Sequence, residues 1–274
     1  MTLDVEADDT FKELELKGWN QKARDYGDYA GKITLQAVEP LLNAVEVGPG
    51  SVFLDIATGP GYTAGAAQAR GAIATGVDFS AAMIGEASRN YPKALFYEGD
   101  AEHLVFPSGF FDAAACPFGL LHMANPDRAI SEAWRILKPG GKFAFTVWAA
   151  PEKHAFFELV LGAISRHGAM DVALPEAPPF FRFSDPGESR GALEKTGFSD
   201  IDISELVLHW QPSNGQQLLD TIYKSTVRTA MLLEAQEEDA REKIHSDIIA
   251  AVSASTGPVN LPWPALIAVA RKPL

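Results

Sequence analysis

The run from Ser51 to Gly61 constrains this chain more than any other stretch. A short apolar segment (Val52 to Leu54) leads to Asp55, and Gly59 and Gly61 follow within a few residues. Such a pattern describes a buried strand that turns sharply into a helix. Glycine has no Cβ, so the turn lets a ligand approach the backbone, and the helix start adds unpaired N–H groups. Asp55 narrows the ligand. A carboxylate at the strand end gains nothing from a phosphate, whereas a loop that holds a cationic small molecule benefits from one.

Strands and helices then alternate. Residues 52–56, 73–77, 94–98, 112–118 and 142–148 read as strands. Helices are expected at 62–69, from the Ser80 cap to about 90, and from Asn125-Pro126, with proline at the first helical position. Lys138-Pro139-Gly140-Gly141 is expected to end that last helix. This rhythm predicts an α/β architecture, a Rossmann-like doubly wound parallel sheet with right-handed crossovers. Residues 10–46 read as helical, with Gly48-Pro49-Gly50 as their stop. After residue 150 come an apolar helix (152–167), a proline-rich loop (174–183), a short helix to 196 and a strand at 201–210. Two helices over 213–255 and a last strand at 264–271 complete the expectation. The late helices predict a lid over the carboxyl edge of the sheet. The chain divides accordingly into an N-terminal helical cap (1–50), an α/β core (51–150), a lid helix, loop and late core elements (151–212), a helical lid insertion (213–256) and a terminal core strand (257–274).

Composition narrows the function. The 274 residues suit one domain with a sizeable insertion, or one and a half domains. A formal net charge of −13 repels nucleic-acid phosphates and anionic membranes. The single cysteine, Cys116, excludes an internal disulfide framework and fits a reducing compartment. The acidic first residues contain no apolar core, so no signal peptide is expected, and no apolar run is long enough for a membrane span. A cytoplasmic protein is the expectation. The histidines at 154, 167, 209 and 245 lack ligand spacing, so no metal is expected.

Ligands of open α/β sheets lie outside the carboxyl ends of the strands, where the candidate polar residues fall. Asp55 closes the first strand, Asp78 the second, and Asp100 follows the third. An acid ending the second strand suits a ribose diol, because a carboxylate accepts from two hydroxyls at once. Phe79 and Met83 are placed to flank an adenine, with Asp100 accepting its amino group and the Ala101 N–H meeting a ring nitrogen. S-adenosylmethionine, a nucleoside with a sulfonium and an ammonium, satisfies all of these requirements. Two other readings use the same residues. The Gly59, Gly61 and Gly65 spacing imitates a dinucleotide loop and allows an NAD(P)-dependent oxidoreductase. A catalytically silent, nucleoside-binding regulatory protein is the other.

The chain resembles the class I methyltransferases, particularly the small-molecule group that includes ubiquinone/menaquinone-type C-methyltransferases. The matching residues are Leu54 to Gly61, Gly76 to Ser80, Gly99 to Leu104 with Phe106-Pro107, Leu121-His122, Pro126 and Arg135 to Gly141. The resemblance implies a seven-stranded sheet whose last strand is antiparallel and hairpin-paired with the sixth. It implies methyl transfer from S-adenosylmethionine to a small, partly apolar acceptor by in-line displacement. Donor contacts would come from Asp55, Ala57, Gly59, Gly61, Asp78, Phe79, Met83, Asp100, Ala101 and Tyr26. His122 is the candidate catalytic residue, and Trp148, Phe156 and Phe181 are candidates for the acceptor pocket. Ala57 stands where many members have glycine, which costs little if its φ is negative. The helix over 213–235 offers a face for pairing two copies of the chain.

Overall fold

The computed structural model describes residues 2–253 and 260–274, with side chains described from residue 10 to 252 and from 260 on. Three helices precede the sheet: α1 (Thr2–Tyr26), α2 (Gly31–Thr34) and α3 (Val38–Ala44). The segment expected to be continuously helical turns between α1 and α2. Glycine at 27 and 31 weakens helix there, and a Cβ at Gly31 would lie 2.6 Å from the Tyr62 hydroxyl.

The core then follows as β1 (Val52–Ile56), α4 (Tyr62–Ala69), β2 (Ile73–Asp78), α5 (Ala81–Asn90), β3 (Leu95–Glu98), β4 (Phe111–Pro117), α6 (Pro126–Ile136) and β5 (Leu137–Trp148). Local chemistry sets the helix starts. The Ser80 hydroxyl accepts from the Met83 N–H, and the Asn125 side chain accepts from the Arg128 N–H just before Pro126. The Lys138–Gly141 run does not separate helix from strand. It is carried inside β5, where pairing with β4 shifts register between Phe111 and Ala113 and Gly140 takes a φ of 79°.

The second half adds α7 (Ala155–His167), α8 (Pro186–Thr196), β6 (Ser199–Trp210), α9 (Gly215–Ser225), α10 (Arg228–Glu234), α11 (Glu238–Ser253) and β7 (Leu261–Arg271). Three helices, not two, fill the late insertion among the described residues. The β-branched pair Thr226-Val227 breaks the first of them, with Thr226 extended. The expected boundary between 256 and 257 lies outside the described residues.

The strand order is β3-β2-β1-β4-β5-β7-β6. The first five strands pair in parallel, while β7 runs antiparallel to both β5 and β6. The last two strands pair as a hairpin would, but three helices join them instead of a turn. Phe53, Leu54 and Ile56 of β1, Ala113 to Cys116 of β4 and Phe143 and Phe145 of β5 are buried at the centre. Order reverses between β1 and β4, so a crevice opens at their carboxyl ends. Helices α1, α2, α7 and α9 to α10 gather over it. Leu218, Leu219 and Ile222 of α9 are buried, and α9 packs on α1 and α11. The apolar face expected to pair two copies is used within the chain. No described helix is long and apolar enough to cross a membrane.

Candidate active site

A cavity of about 440 Å³ occupies the crevice, within the range of small-molecule sites. Its floor is made by the turns after β1, β2, β3 and β4.

Asp55 is not part of its lining. The carboxylate is wholly enclosed, and its Oδ2 accepts from the Thr58 hydroxyl at 2.6 Å and the Ala64 N–H at 2.9 Å. Its Oδ1 has no hydrogen-bond partner among the described residues. Burial lifts Asp55 to about 7 against the pull of those two bonds. Asp55 therefore braces the glycine turn from inside, which corrects the expectation that it meets the ligand.

Gly61 is likewise a packing glycine. With φ at 86°, its missing Cβ leaves room for Ala87 and Phe96, each 2.9 Å from where that atom would stand. Gly59 differs: it lines the cavity, a Cβ there would meet open space, and its N–H donates to Asp78 Oδ2 at 2.8 Å. Ala57 also lines the cavity, but its φ is 55°, not negative. A left-handed alanine costs about 1 kcal/mol. The strain recurs across the crevice at Phe118, with φ at 54°.

Asp78 is the floor's inward-facing acid. Its Oδ1 accepts from the Ser80 N–H at 2.9 Å, and burial lifts it to about 6 against its backbone hydrogen bonds. Phe79 and Met83 lie beside it along the cavity wall, and Ala101 lies beyond β3. Asp100 lines the cavity as well, but in company. Its Oδ1 accepts from the Glu102 N–H, and the Lys12 ammonium lies 3.1 Å from its Oδ2 and 2.7 Å from Glu102. Burial opposes ionisation of Asp100, yet the Glu102 N–H and Lys12 hold it below the usual carboxylate range.

The cover supplies what sequence reasoning missed. Lys12 and Glu15 share one face of α1 with Trp19 and Tyr26, at the spacing that helical neighbours require. That periodicity was the available signal. Glu15 is completely buried; its Oε2 accepts from the Trp19 indole N–H at 2.9 Å and lies 3.1 Å from His122 Nδ1. Its Oε1 has no hydrogen-bond partner among the described residues. The Trp19 and His122 rings meet edge to face at 4.8 Å. His122 and Tyr26 both line the cavity; the Tyr26 hydroxyl bonds Thr34, and burial pushes Tyr26 up to about 12. Asn20 ties α1 to α5 through the Ser80 hydroxyl at 2.8 Å. Tyr29 lies outside the lining, against Lys224.

The far end of the cavity is aromatic. Trp148, stacked on Phe118 at 4.1 Å, lines it with Phe156, Phe157, Phe180 and Trp263. Phe181 is one layer back, packed edge-on against Phe157 at 4.9 Å, which removes it from the expected acceptor pocket. Behind the same wall His154 is wholly buried with neither ring nitrogen bonded among the described residues, and burial drives it down to about 4. It is a neutral packing group. Arg228, at the start of α10, reaches the cavity between the rings of Phe11 and Phe180.

Comparison with known proteins identifies the family and the fold. A methyltransferase domain family matches residues 54–145. The demethylmenaquinone methyltransferase of Thermus thermophilus is 34% identical over 173 residues, covering 57% of this chain and 77% of that protein. The enzyme of the same name from Beutenbergia cavernae is 34% identical over 121 residues, 44% of this chain and 50% of that one. The chain thus spans about half the length of the first curated relatives it matches. In fold it is similar to a phosphoethanolamine N-methyltransferase 2 of Haemonchus contortus, solved with phosphomonomethylethanolamine and S-adenosylhomocysteine. The TM-score is 0.54 at 21% identity, over 87% of this chain and 52% of that one. With its sheet order, its glycine turn and the acid at the tip of β2, the chain belongs to the class I S-adenosylmethionine-dependent methyltransferases.

Proposed function

We propose that the protein transfers a methyl group from S-adenosylmethionine to a small, partly apolar acceptor. The observation that carries this reading is Asp78, a buried carboxylate at the cavity floor beside a glycine with open space above it. The residues present fit the donor. Asp78 would accept from the ribose hydroxyls, Phe79 and Met83 would flank the adenine, and the Ala101 N–H would meet its ring. Asp100 would serve the adenine amino group while sharing its carboxylate with Lys12. Gly59 and Ala57 would lie under the amino-acid end, and the rings of Trp19 and Tyr26 attract a cation by about 0.5–2 kcal/mol each. Bound there, S-adenosylmethionine supplies an electrophilic methyl group on a sulfonium.

The chain's own work is alignment, exclusion of water and one proton. Holding two reactants in line supplies about 7–11 kcal/mol, and the aromatic end with α1 above it keeps the site dry. Glu15 facing Nδ1 of His122 fixes a proton there and leaves Nε2 as the acceptor for a proton from the nucleophile. Residues 51–150 form the donor-binding unit in this reading, with 1–50 and the helices of 213–253 as its cover. Relatives named for demethylmenaquinone and the aromatic wall support a ring-shaped acceptor, and the acidic net charge supports a small molecule over nucleic acid. The buried, unpaired Cys116 supports a cytoplasmic location.

Thermal-shift and calorimetric titrations with S-adenosylhomocysteine and NAD(P), followed by a tritium-label screen over quinone precursors, phenols and amines, test the proposal. Stabilisation by the homocysteine nucleoside and label transfer to one acceptor support it. Stabilisation by NAD(P) alone overturns it, and nucleoside binding without transfer to any acceptor leaves a silent binding protein.

A further inference from the structure

We infer that Arg228 anchors an oxyanion on the methyl acceptor, so that the acceptor class is a planar aromatic acid or acidic phenol. The inference rests on the methyl-transfer reading for the word acceptor, but the anion site stands on its own geometry. Two Lys or Arg side chains line the cavity, Lys12 and Arg228, and only the second lacks a carboxylate partner among the described residues. Lys12 is held by Asp100 and Glu102, Arg135 by Glu132, and Arg182 by Asp127 and Glu188. Arg228 lines the cavity, and no carboxylate lies within ion-pair distance of it among the described residues.

Among the described residues its one side-chain hydrogen bond is from Nη1 to the Pro178 carbonyl at 3.1 Å. Most of the five donors of a guanidinium stay uncommitted, in the fork geometry that suits a carboxylate or phenolate. The head is held in place. It lies 5.6 Å from the Phe11 ring centre and 5.3 Å from that of Phe180. Burial works against its charge and is only partly countered by the field of Glu15, whose Oε2 serves Trp19 and His122. An arriving anion supplies the missing counter-charge.

Phe180 also sets the geometry of the acceptor. The same ring stands edge to face with His122 at 6.0 Å. A flat acceptor lying along Phe180 therefore presents its oxyanion to Arg228 and its nucleophile towards His122. The aromatic end of the cavity takes its body, and the anion fixes which edge points at the proton acceptor.

Paired ligands test this directly. Naphthoate and naphthamide, and salicylate and salicylamide, are titrated by tryptophan fluorescence into wild type, Arg228→Gln and Arg228→Lys, with and without S-adenosylhomocysteine. In the wild type at least one acid is expected to bind tenfold or more tightly than its amide. Arg228→Gln should bring the two within about twofold while leaving amide and S-adenosylhomocysteine affinities near wild type, and Arg228→Lys should keep part of the preference. Equal binding of acids and amides by the wild type, or binding of none, overturns the anion site. So does an Arg228→Gln variant that loses S-adenosylhomocysteine instead, which would assign the arginine to the carboxylate of the donor. Wild type that prefers acids but ignores the nucleoside would sink the methyl-transfer reading and leave the anion site standing.

Discussion

The floor of the cavity and its cover are built by different means. On the floor each functional group is tied to backbone: Asp55 to the Ala64 N–H, Asp78 to those of Gly59 and Ser80, Asp100 to that of Glu102. Strand register sets these positions, with Asp55 opposite Gly76 and Asp78 opposite Glu98. The cover is held side chain to side chain across long stretches of sequence. Lys12 reaches Asp100, Glu15 reaches His122, and Asn20 reaches Ser80. The floor's acids are held by backbone N–H groups and so move only with their strands, whereas the cover's bonds join side chains, with Glu15 and Ser80 fully buried among them. The contrast teaches that strand register fixes the floor, whereas side-chain contacts distant in sequence set α1 over it.

That contrast can be broken or sharpened by substitution. The largest effect belongs to the floor. Asp55→Ala removes the acceptor of a buried hydroxyl and a buried N–H, and urea denaturation is expected to show a loss of about 2–4 kcal/mol. A loss below about 0.5 kcal/mol would mean that the brace is unimportant. Glu15→Gln acts in the cover and should spare the fold. Turnover with an acceptor found in the label screen is expected to fall about tenfold to hundredfold, with S-adenosylhomocysteine affinity unchanged; unaltered turnover would remove the His122 pair from the chemistry.

Acidity gives a gentler probe. Burial sets Asp78 at about 6, so below that pH it gains a proton and loses acceptor capacity for ribose hydroxyls. Nucleoside affinity is expected to be flat above about pH 7 and to fall roughly tenfold by about pH 5. A flat profile to pH 5 would contradict the ribose role. The smallest effect is a gain. Ala57→Gly relieves a left-handed alanine and should raise stability by at most about 1 kcal/mol, net of the added chain entropy of glycine.

Much of the floor was legible because strand tips announce themselves. An apolar run ending in an acid and followed by glycine or a capping serine specifies backbone direction, and Asp78, Gly59 and Met83 stand where the pattern placed them. Sequence could not say which way a carboxylate turns. Asp55 and Asp78 look alike in the chain, yet one points into its own turn and the other into the cavity. Enclosure of Asp55 also withdraws the electrostatic objection to a pyrophosphate, and the family match carries that exclusion instead. The cover was harder to read because its contacts join residues 88 and 107 positions apart, which no local pattern encodes. Phe181 shows the same limit in the wall: Phe180, Phe181 and Phe183 fall within four residues, and only packing decides that Phe180 faces the cavity.

The most direct measurement is a calorimetric titration of S-adenosylhomocysteine into the wild-type protein and into Asp78→Asn at neutral pH. The account predicts one site per chain in the wild type and at least about tenfold weaker binding in the variant, from loss of a charge-assisted hydrogen bond. No heat of binding in the wild type, or equal affinity in the two proteins, would contradict it.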